Sequence, residues 1–152
     1  MKRTGVPLGV EERSFLERAR RAHLATASAA AVPHVVPVCF AVLDTRTLVF
    51  AIDDKPKAPD RRLRRLTNLE QNPRFALLVD HWDEDWRGLG YVLVSGHGAP
   101  AHDASARAAA VDALRARYPQ YVAMDLDARR HQVIELAIER VHVWGRITPE
   151  PA

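Results

Sequence analysis

The sequence has 152 residues, the size of one globular domain, and residues 1–152 are expected to form a single unit. Hydrophobic residues make up 47% of the chain and charged residues 27%, which excludes an intrinsically disordered protein. Cys39 is the only cysteine, so an internal disulfide is excluded, and a net charge of +3 gives little support for nucleic-acid binding.

The first third of the chain predicts one helix followed by three strands. Residues 9–21 place apolar side chains on one side of a helix, with arginines and glutamates around the rest. The predicted strands are residues 23–28, 32–43 and 47–53, and a turn at 44–46 joins the last two as an antiparallel hairpin. Pro37 lies inside the second strand and indicates an edge strand or a bulge.

The remaining elements alternate less regularly between helix and strand. A second helix is predicted from Asp60, as N-cap, to residue 71, with Leu63, Leu66 and Leu69 as its buried stripe. A third helix opens at Asp103 or Ser105 and runs to about residue 118. The predicted strands are residues 74–82, 89–101 and 132–147, with an acidic loop at 83–88. Because most strands join through short turns, the fold class is mainly β with flanking helices, an antiparallel sheet able to close into a barrel.

No membrane span or targeting segment is predicted. The longest apolar stretch, residues 32–43, is too short to cross a bilayer and is interrupted by Pro33 and Pro37. The basic start of the chain is not followed by the apolar region of a signal peptide. We therefore expect a cytoplasmic protein.

Several kinds of chemical site are not supported by the motifs present. The seven histidines form no HExxH pattern, so no metal site is expected. The chain has no GxSxG motif, and Cys39, in an apolar strand, is interpreted as a core residue. His34 and His81 are the candidates for proton transfer near neutral pH, and no catalytic residue is assigned.

The strongest local charge feature is a basic segment between residues 55 and 65. It contains six cations and one acid, Asp60; the cations are Lys55, Lys57, Arg61, Arg62, Arg64 and Arg65. Cations beside the start of a helix form an anion site, whereas the alternative is a solvated helix face with charged loop residues. A nucleic-acid site is not favoured, because no aromatic residue is interleaved with these cations and an acidic loop follows.

Together these segments resemble the pyridoxamine 5'-phosphate oxidase-like split β-barrel proteins, and in particular the branch that uses the deazaflavin coenzyme F420. The resemblance covers nearly the whole chain. It rests on residues 22–26 (AHLAT), 33–40 (PHVVPVCF), 48–57 (LVFAIDDKPK), 63–74 (LRRLTNLEQNPR) and 77–86 (LLVDHWDEDW).

The resemblance implies a homodimer with two cofactors at its interface. It places the cofactor ring, largely through backbone groups, against Val36, Pro37, Val38, Ala51 and Ile52. Two registers are possible for the phosphate: counting from Phe50 points to Lys55 and Lys57, whereas counting back from Asn72 and Pro73 points to Arg64 and Arg65. Arg61 would bind the polyglutamate tail, and Trp82 and Trp86 would cover the ring of the other subunit.

Two departures from the family pattern affect the implied activity. The second strand lacks the basic residues of the oxidases proper, and near the C-terminus only His142, Trp144 and Arg146 remain of the cluster that binds pyridoxal phosphate. Pyridoxine-phosphate oxidation is therefore not expected. The resemblance favours an F420-dependent oxidoreductase that transfers a hydride to a small electron-poor acceptor. The alternatives are an FMN-binding oxidoreductase and a non-catalytic flavin or deazaflavin carrier.

Overall fold

The computed structural model describes residues 2–4, 7–53 and 63–151, and within them it contains eight strands and four α-helices. The strands are β1 (Lys2–Thr4), β2 (Ala22–Ala27), β3 (Pro33–Val38), β4 (Ala41–Asp44), β5 (Thr47–Ala51), β6 (Arg74–His81), β7 (Gly90–Pro100) and β8 (Val133–Gly145). The helices are α1 (Val10–Arg18), α2 (Arg64–Gln71), α3 (Ala104–Arg117) and α4 (Pro119–Ala123), with a 3-10 turn at Trp86–Gly88.

The strands form one antiparallel sheet that curls into a barrel. Their order is β3-β2-β6-β7-β8-β5-β4, and β1 pairs with β8 beside this path. β3 and β4 lie at opposite ends of that order, yet only Cys39 and Phe40 separate them in the chain. Six flat inter-strand spacings would cover about 29 Å, whereas the three Cα steps from Val38 to Ala41 span at most about 11 Å. The sheet therefore has to bend round until its two ends meet, and the predicted antiparallel barrel fold is confirmed.

The strand predictions need one main correction. The predicted strand 32–43 is two strands, because the chain leaves β3 after Val38 and starts β4 at Ala41. Phe40 is fully buried at this crossing, and its backbone N–H donates to the Tyr118 hydroxyl instead of to a strand. Each of the other predicted strands is present with bounds shifted by a few residues.

Two helix predictions need correction at one end, and one helix was not predicted. The first helix ends at Arg18 and not at residue 21. The second helix begins at Arg64, because Leu63 has the extended conformation of an N-cap; Asp60 lies outside the described residues. Asp103, the first of the two predicted caps, opens α3, and its carboxylate accepts from the Ala106 N–H at 2.7 Å. The chain does not stay irregular after Tyr118: Pro119 occupies the first turn of α4, a position that suits its missing N–H.

Two apolar cores hold the structure together. One fills the barrel and includes Leu24, Leu77, Val92 and Leu136. The other lies outside the barrel wall, where α3 and α4 cover the outer face of β4 and β5. Because β5 is buried on both faces, it separates the two cores. Within the described part of the chain, the longest helix is neither long nor apolar enough to cross a membrane.

Candidate functional site

The predicted ring-binding strand β3 lies at one end of the sheet. Among the described strands it pairs with β2 alone, so its other edge offers backbone N–H and C=O groups to a ligand. Val35 and Pro37 point outward and are exposed, whereas Val36 packs towards the barrel core and Val38 is buried within it. Pro37 pairs with His23 in register and cannot donate a ladder hydrogen bond. A flat ring at this edge would therefore contact backbone and the side chains of alternate residues.

The second predicted wall, at the end of β5, is placed differently. Ala51 is buried in the outer core, and Ile52 packs in part against the barrel core. The Ile52 N–H donates to the Gln132 carbonyl at 2.9 Å, which fixes the chain as it leaves β5. Any contact that Ala51 makes with a ligand has to use its backbone.

The start of α2 carries the described part of the basic segment. Its N-cap, Leu63, makes no side-chain hydrogen bond to the first turn, and that turn contains no acidic residue. Arg64 is exposed, while Arg65 is half-buried. An uncapped helix start with two arginines combines N–H donors, the positive end of the helix dipole and formal positive charge. This is an arrangement suited to a phosphate. Lys55, Lys57 and Arg61, the other predicted cofactor residues, lie outside the described residues.

Arg65 is held in an unusual environment for an arginine. Burial lowers its pKa, and the nearby Asp53 carboxylate, with a smaller effect from Tyr121, opposes that lowering. Its Nε is shielded from solvent and has no hydrogen-bond partner among the described residues. A buried donor without a partner costs free energy unless a ligand or water takes it. Arg65 is therefore the described cation best prepared to bind an anion.

Asp53 and Tyr121 form a buried hydrogen-bonded pair. The Tyr121 hydroxyl donates to Asp53 Oδ2 at 2.8 Å, and the two side chains are 3% and 8% exposed, respectively. Burial raises the pKa of Tyr121 well above its ordinary value, and the hydrogen bond to the Asp53 carboxylate raises it further. Tyr121 thus stays a neutral donor at all physiological pH values. Neither residue was singled out as a site residue from the sequence, because they lie 68 positions apart.

A cavity of about 300 Å³ opens beside this pair. Its lining comprises Arg20, Cys39, Asp53, Tyr118, Gln120, Tyr121 and Met124. Cys39, for which the sequence predicts a core position, packs against the outer core but is only half-buried and lines this cavity. The chain exposes it because the crossing from β3 to β4 takes Cys39 out of the strand pattern. In the chain, Cys39 directly follows Val38 and Asp53 directly follows Ile52, so two lining residues adjoin the two predicted ring walls.

The acidic loop after β6 presents both of its tryptophans to solvent. Trp82 is 62% exposed and Trp86 is 74% exposed. Trp82 donates from Nε1 to Glu84 at 3.0 Å, and Arg87 lowers the pKa of Asp85 through a hydrogen-bonded ion pair of 2.6 Å. These local contacts order the loop without covering its rings. The loop is thus free to contact another molecule, as the predicted role at a partner's cofactor requires.

The two candidate histidines have different surroundings. His81 lies 4.0 Å from Asp83 at the edge of a cavity of about 390 Å³ whose floor includes Phe15 and Val79. His34 sits opposite Thr26 in the β2–β3 pair, and its Nδ1 is shielded without a partner among the described residues. Neither histidine lines the cavity beside Tyr121.

The residues near the C-terminus occupy two positions. Trp144 stacks on Tyr91 with ring centroids 5.7 Å apart and is 49% exposed on the outer face of the sheet. Arg146 pairs with Glu150 at 2.6 Å and borders the same cavity as His81. In the described part of the chain, no three side chains are grouped as a metal site would need.

Comparisons with known proteins identify the fold. A conserved hypothetical protein from Mycobacterium tuberculosis superposes with a TM-score of 0.72 at 18% identity, covering 100% of this chain and 96% of that one. The heme storage protein HutZ from Vibrio cholerae superposes with a TM-score of 0.68 at 15% identity. The match covers 92% of this chain and 95% of HutZ. An FAD-binding protein from Mesorhizobium loti superposes with a TM-score of 0.62 at 23% identity. The match covers 94% of this chain and 95% of that protein.

At these identities the structural likeness concerns the fold alone, and no curated protein sequence matches. The family assignment comes from the sequence model for pyridoxamine 5'-phosphate oxidase, which matches residues 9–145 and therefore most of the chain. That span includes β2 to β8, both edge strands and the start of α2. The chain belongs to the pyridoxamine 5'-phosphate oxidase family.

Proposed function

We propose that this protein is an oxidoreductase that binds coenzyme F420 and transfers a hydride between the deazaflavin and a small electron-poor organic acceptor. The observation that carries the proposal is the start of α2. There, half-buried Arg65, whose Nε has no hydrogen-bond partner among the residues that the structure describes, lies in the first turn of a helix without a side-chain cap. Family membership supports a flavin-like cofactor, and the Mesorhizobium loti neighbour is described as FAD-binding.

The residues present fit a phosphate-bearing ring cofactor. Arg65 and the first turn of α2 supply donors for a phosphate. The free edge of β3 supplies backbone groups for the polar edge of a ring, and exposed Pro37 and Val35 supply apolar contact. F420 is preferred over FMN because a tail with several carboxylates makes use of more cations than a single phosphate. Residues 55–65 supply six such cations.

The protein's part in the reaction is to bind, orient and exclude water. The cofactor supplies hydride chemistry at C5 of its deazaflavin ring. Arg65 would hold the phosphate, and the edge of β3 would contact the ring, where Pro37 has no backbone N–H to donate to a ladder. His34 and His81 are the candidates to hold a proton for the product, and solvent is the alternative donor.

A homodimer with two cofactors at its interface is part of the proposal. Three large apolar side chains of the outer surface, Val35, Trp82 and Trp86, are each more than 60% exposed. A second copy that brings Trp82 and Trp86 over the ring would cover them and close the site to water. Light scattering of the purified protein is expected to give twice the chain mass.

The test of the cofactor is a titration that follows tryptophan fluorescence. Submicromolar binding of F420, with weaker binding of FMN, is the expected result. The reverse preference would move the protein to FMN chemistry. A failure of both to bind would refute the proposal. Replacing Lys57 and Arg65 together with alanine should weaken binding by roughly 3 kcal/mol or more, because each charge-assisted contact contributes about 1.5–3 kcal/mol.

A non-catalytic carrier is the second candidate function. In favour of it, a neighbour of the same fold is described as a heme storage protein. The two candidates differ in turnover. If the protein is an enzyme, an acceptor such as a quinone or an enone will oxidise the bound reduced cofactor faster than the free one. If it is a carrier, binding will slow that oxidation for every acceptor.

A further inference from the structure

The cavity of about 390 Å³ at the end of β6 combines an apolar lining with a charged rim. The apolar part of the lining consists of Phe15, Ala19, Val79 and Ile147. Among the described residues, the lining includes none from β3, β5 or α2, so the residues of the proposed cofactor site do not form this cavity. Small-molecule pockets usually measure about 300–1,000 Å³, so the volume suits a compound with one ring.

The backbone fixes Arg146 at the rim of this cavity. Gly145 ends β8 with a φ of 70°, which turns the chain, and the Arg146 N–H donates to the Leu89 carbonyl at 2.8 Å. The next carbonyl, that of Ile147, accepts from the Arg18 guanidinium at 2.7 Å, and the Ile147 side chain packs in the barrel core. The place of Arg146 is therefore set by its backbone and by its neighbours, and not by its own side-chain contacts.

The Arg146 side chain has a single and weakly held partner. Its Nη1 donates to Glu150 Oε1 at 2.6 Å, and its guanidinium makes no other hydrogen bond to the residues that the structure describes. Glu150 lies in the segment after β8, and its side chain is 79% exposed. Exposed ion pairs contribute little to stability, so another carboxylate can displace that of Glu150 at small cost.

A ligand carboxylate can gain more at Arg146 than Glu150 does. A guanidinium presents five N–H donors in a fork that fits both oxygens of a carboxylate, whereas the Glu150 contact uses one nitrogen. A ligand with an apolar body also buries that body in the cavity. Asp80 and Asp83 line the same cavity and oppose a group with two negative charges. The site is therefore suited to one negative charge on an apolar compound.

We propose that this cavity binds a small organic monocarboxylate with an apolar body, and that Arg146 pairs with the ligand carboxylate in exchange for Glu150. Glu150 acts as an internal competitor, which occupies Arg146 until a ligand enters. The exchange leaves the barrel intact, because the backbone at Arg146 and Ile147 stays anchored to Leu89 and Arg18. This binding needs neither the cofactor nor hydride transfer, so it goes beyond the proposed function.

The test compares a carboxylate with its uncharged amide and with a doubly charged anion. Dissociation constants are measured by ligand-observed NMR and calorimetry at pH 7.5 for 3-phenylpropanoate, 3-phenylpropanamide and phenyl phosphate. The carboxylate should bind most tightly. Glu150→Gln should tighten carboxylate binding about threefold, as expected for the loss of an exposed competing ion pair, and should leave the amide unchanged. A purely structural role of Glu150 would not tighten binding.

Two arginine variants complete the design. Arg146→Met keeps the apolar stem of the side chain and should abolish the preference for the carboxylate over the amide. Arg115→Met is the matched control: Arg115 pairs with Asp125 at 3.1 Å with similar exposure of both side chains, and it does not line the cavity. This control should keep the preference within about twofold of wild type, because the site is distant.

Several results would overturn the inference. It is wrong if the carboxylate binds neither wild type nor Glu150→Gln, if it binds no better than the amide, or if Glu150→Gln leaves its affinity unchanged. Tighter binding of phenyl phosphate than of the carboxylate would refute the stated class of ligand.

The carboxylate site and the cofactor site can be tested separately. F420 and FMN affinities should be the same in wild type, Glu150→Gln and Arg146→Met, because neither residue belongs to the anion site at α2. If no cofactor binds, the proposed function is wrong, while the carboxylate titrations still decide the role of Arg146. A loss of cofactor binding in Arg146→Met alone would instead assign Arg146 to the cofactor site and overturn the inference.

Discussion

Arg117 closes the C-terminal end of α1 from a distant helix, and its removal should destabilise the fold. Its guanidinium donates to the carbonyls of Glu17 at 2.7 Å and Leu16 at 3.2 Å, and also to that of Ala19. It also lies 4.9 Å from the centre of the Phe40 ring. The last carbonyls of a helix have no partner within the helix and carry the negative end of its dipole.

Arg117→Met keeps the apolar stem and removes all of these bonds. A hydrogen bond to a charged group contributes about 1.5–3 kcal/mol, but the bonds share one guanidinium and are not additive. The expected loss is about 3 kcal/mol, which lowers Tm by roughly 6–12 °C for a domain of this size. Arg117→Lys should recover less than half of the stability lost in Arg117→Met, because an ammonium group cannot reproduce the forked N–H donors of a guanidinium.

The assay is thermal unfolding followed by circular dichroism, with urea unfolding as the second measure. Arg13→Met is the matched control on α1 itself: Arg13 makes an exposed pair with Glu17 at 2.9 Å, so its loss should change stability by less than about 0.5 kcal/mol. A loss below about 1 kcal/mol for Arg117→Met, or a lysine variant equal to wild type, would contradict the reasoning.

The other predictions concern the two cores and the sheet. Leu114→Ala should lower the free energy of unfolding, measured with urea, by about 3 kcal/mol, because the Leu114 side chain is fully buried on the inner side of α3. Gly96→Ala should cost at least as much, since its Cβ would lie 1.9 Å from the Ala137 carbonyl oxygen, a backbone atom that cannot easily move. Gly98→Ala, which meets leucine side chains instead, should cost less. Because the pKa of Tyr121 is raised on folding, the stability it confers is complete below its unfolded pKa of about 10 and falls as pH rises above it. Urea midpoints measured between pH 8 and 11 should therefore decline less in Tyr121→Phe than in wild type.

The antiparallel barrel could be predicted from the sequence because its signals are local. Alternating burial in β2 and β7 follows alternating residue types, and the turn between β4 and β5 is short and polar. The elements that were missed have weak local signals. β1 is three residues long, with only basic and polar side chains, and exists because β8 offers it an edge. Similarly, α4 is a five-residue helix that begins with a proline.

The sequence predicts the arginines of the candidate site but does not predict the buried pair of Asp53 and Tyr121. Arg64 and Arg65 stand out by charge and by their distance from Asn72 and Pro73. Asp53 looks like an ordinary strand-ending acid, and Tyr121 like a helix residue, until packing brings them together. The apolar neighbours of Cys39 predict its packing against a core but not its partial exposure, because no local pattern indicates that the chain changes direction there.

The position of β8 has a consequence for how the chain can fold during synthesis. β8 is the last of the described strands in chain order, and it pairs with β7, β5 and β1. Until it leaves the ribosome, the β4–β5 hairpin lacks the neighbour that joins it to the sheet, and an isolated two-stranded hairpin is marginally stable at best. The early strands can assemble as β3-β2-β6-β7, with the edge of β7 unpaired. A nascent chain paused before residue 133 therefore carries an open sheet edge, which is the form most exposed to association with other chains.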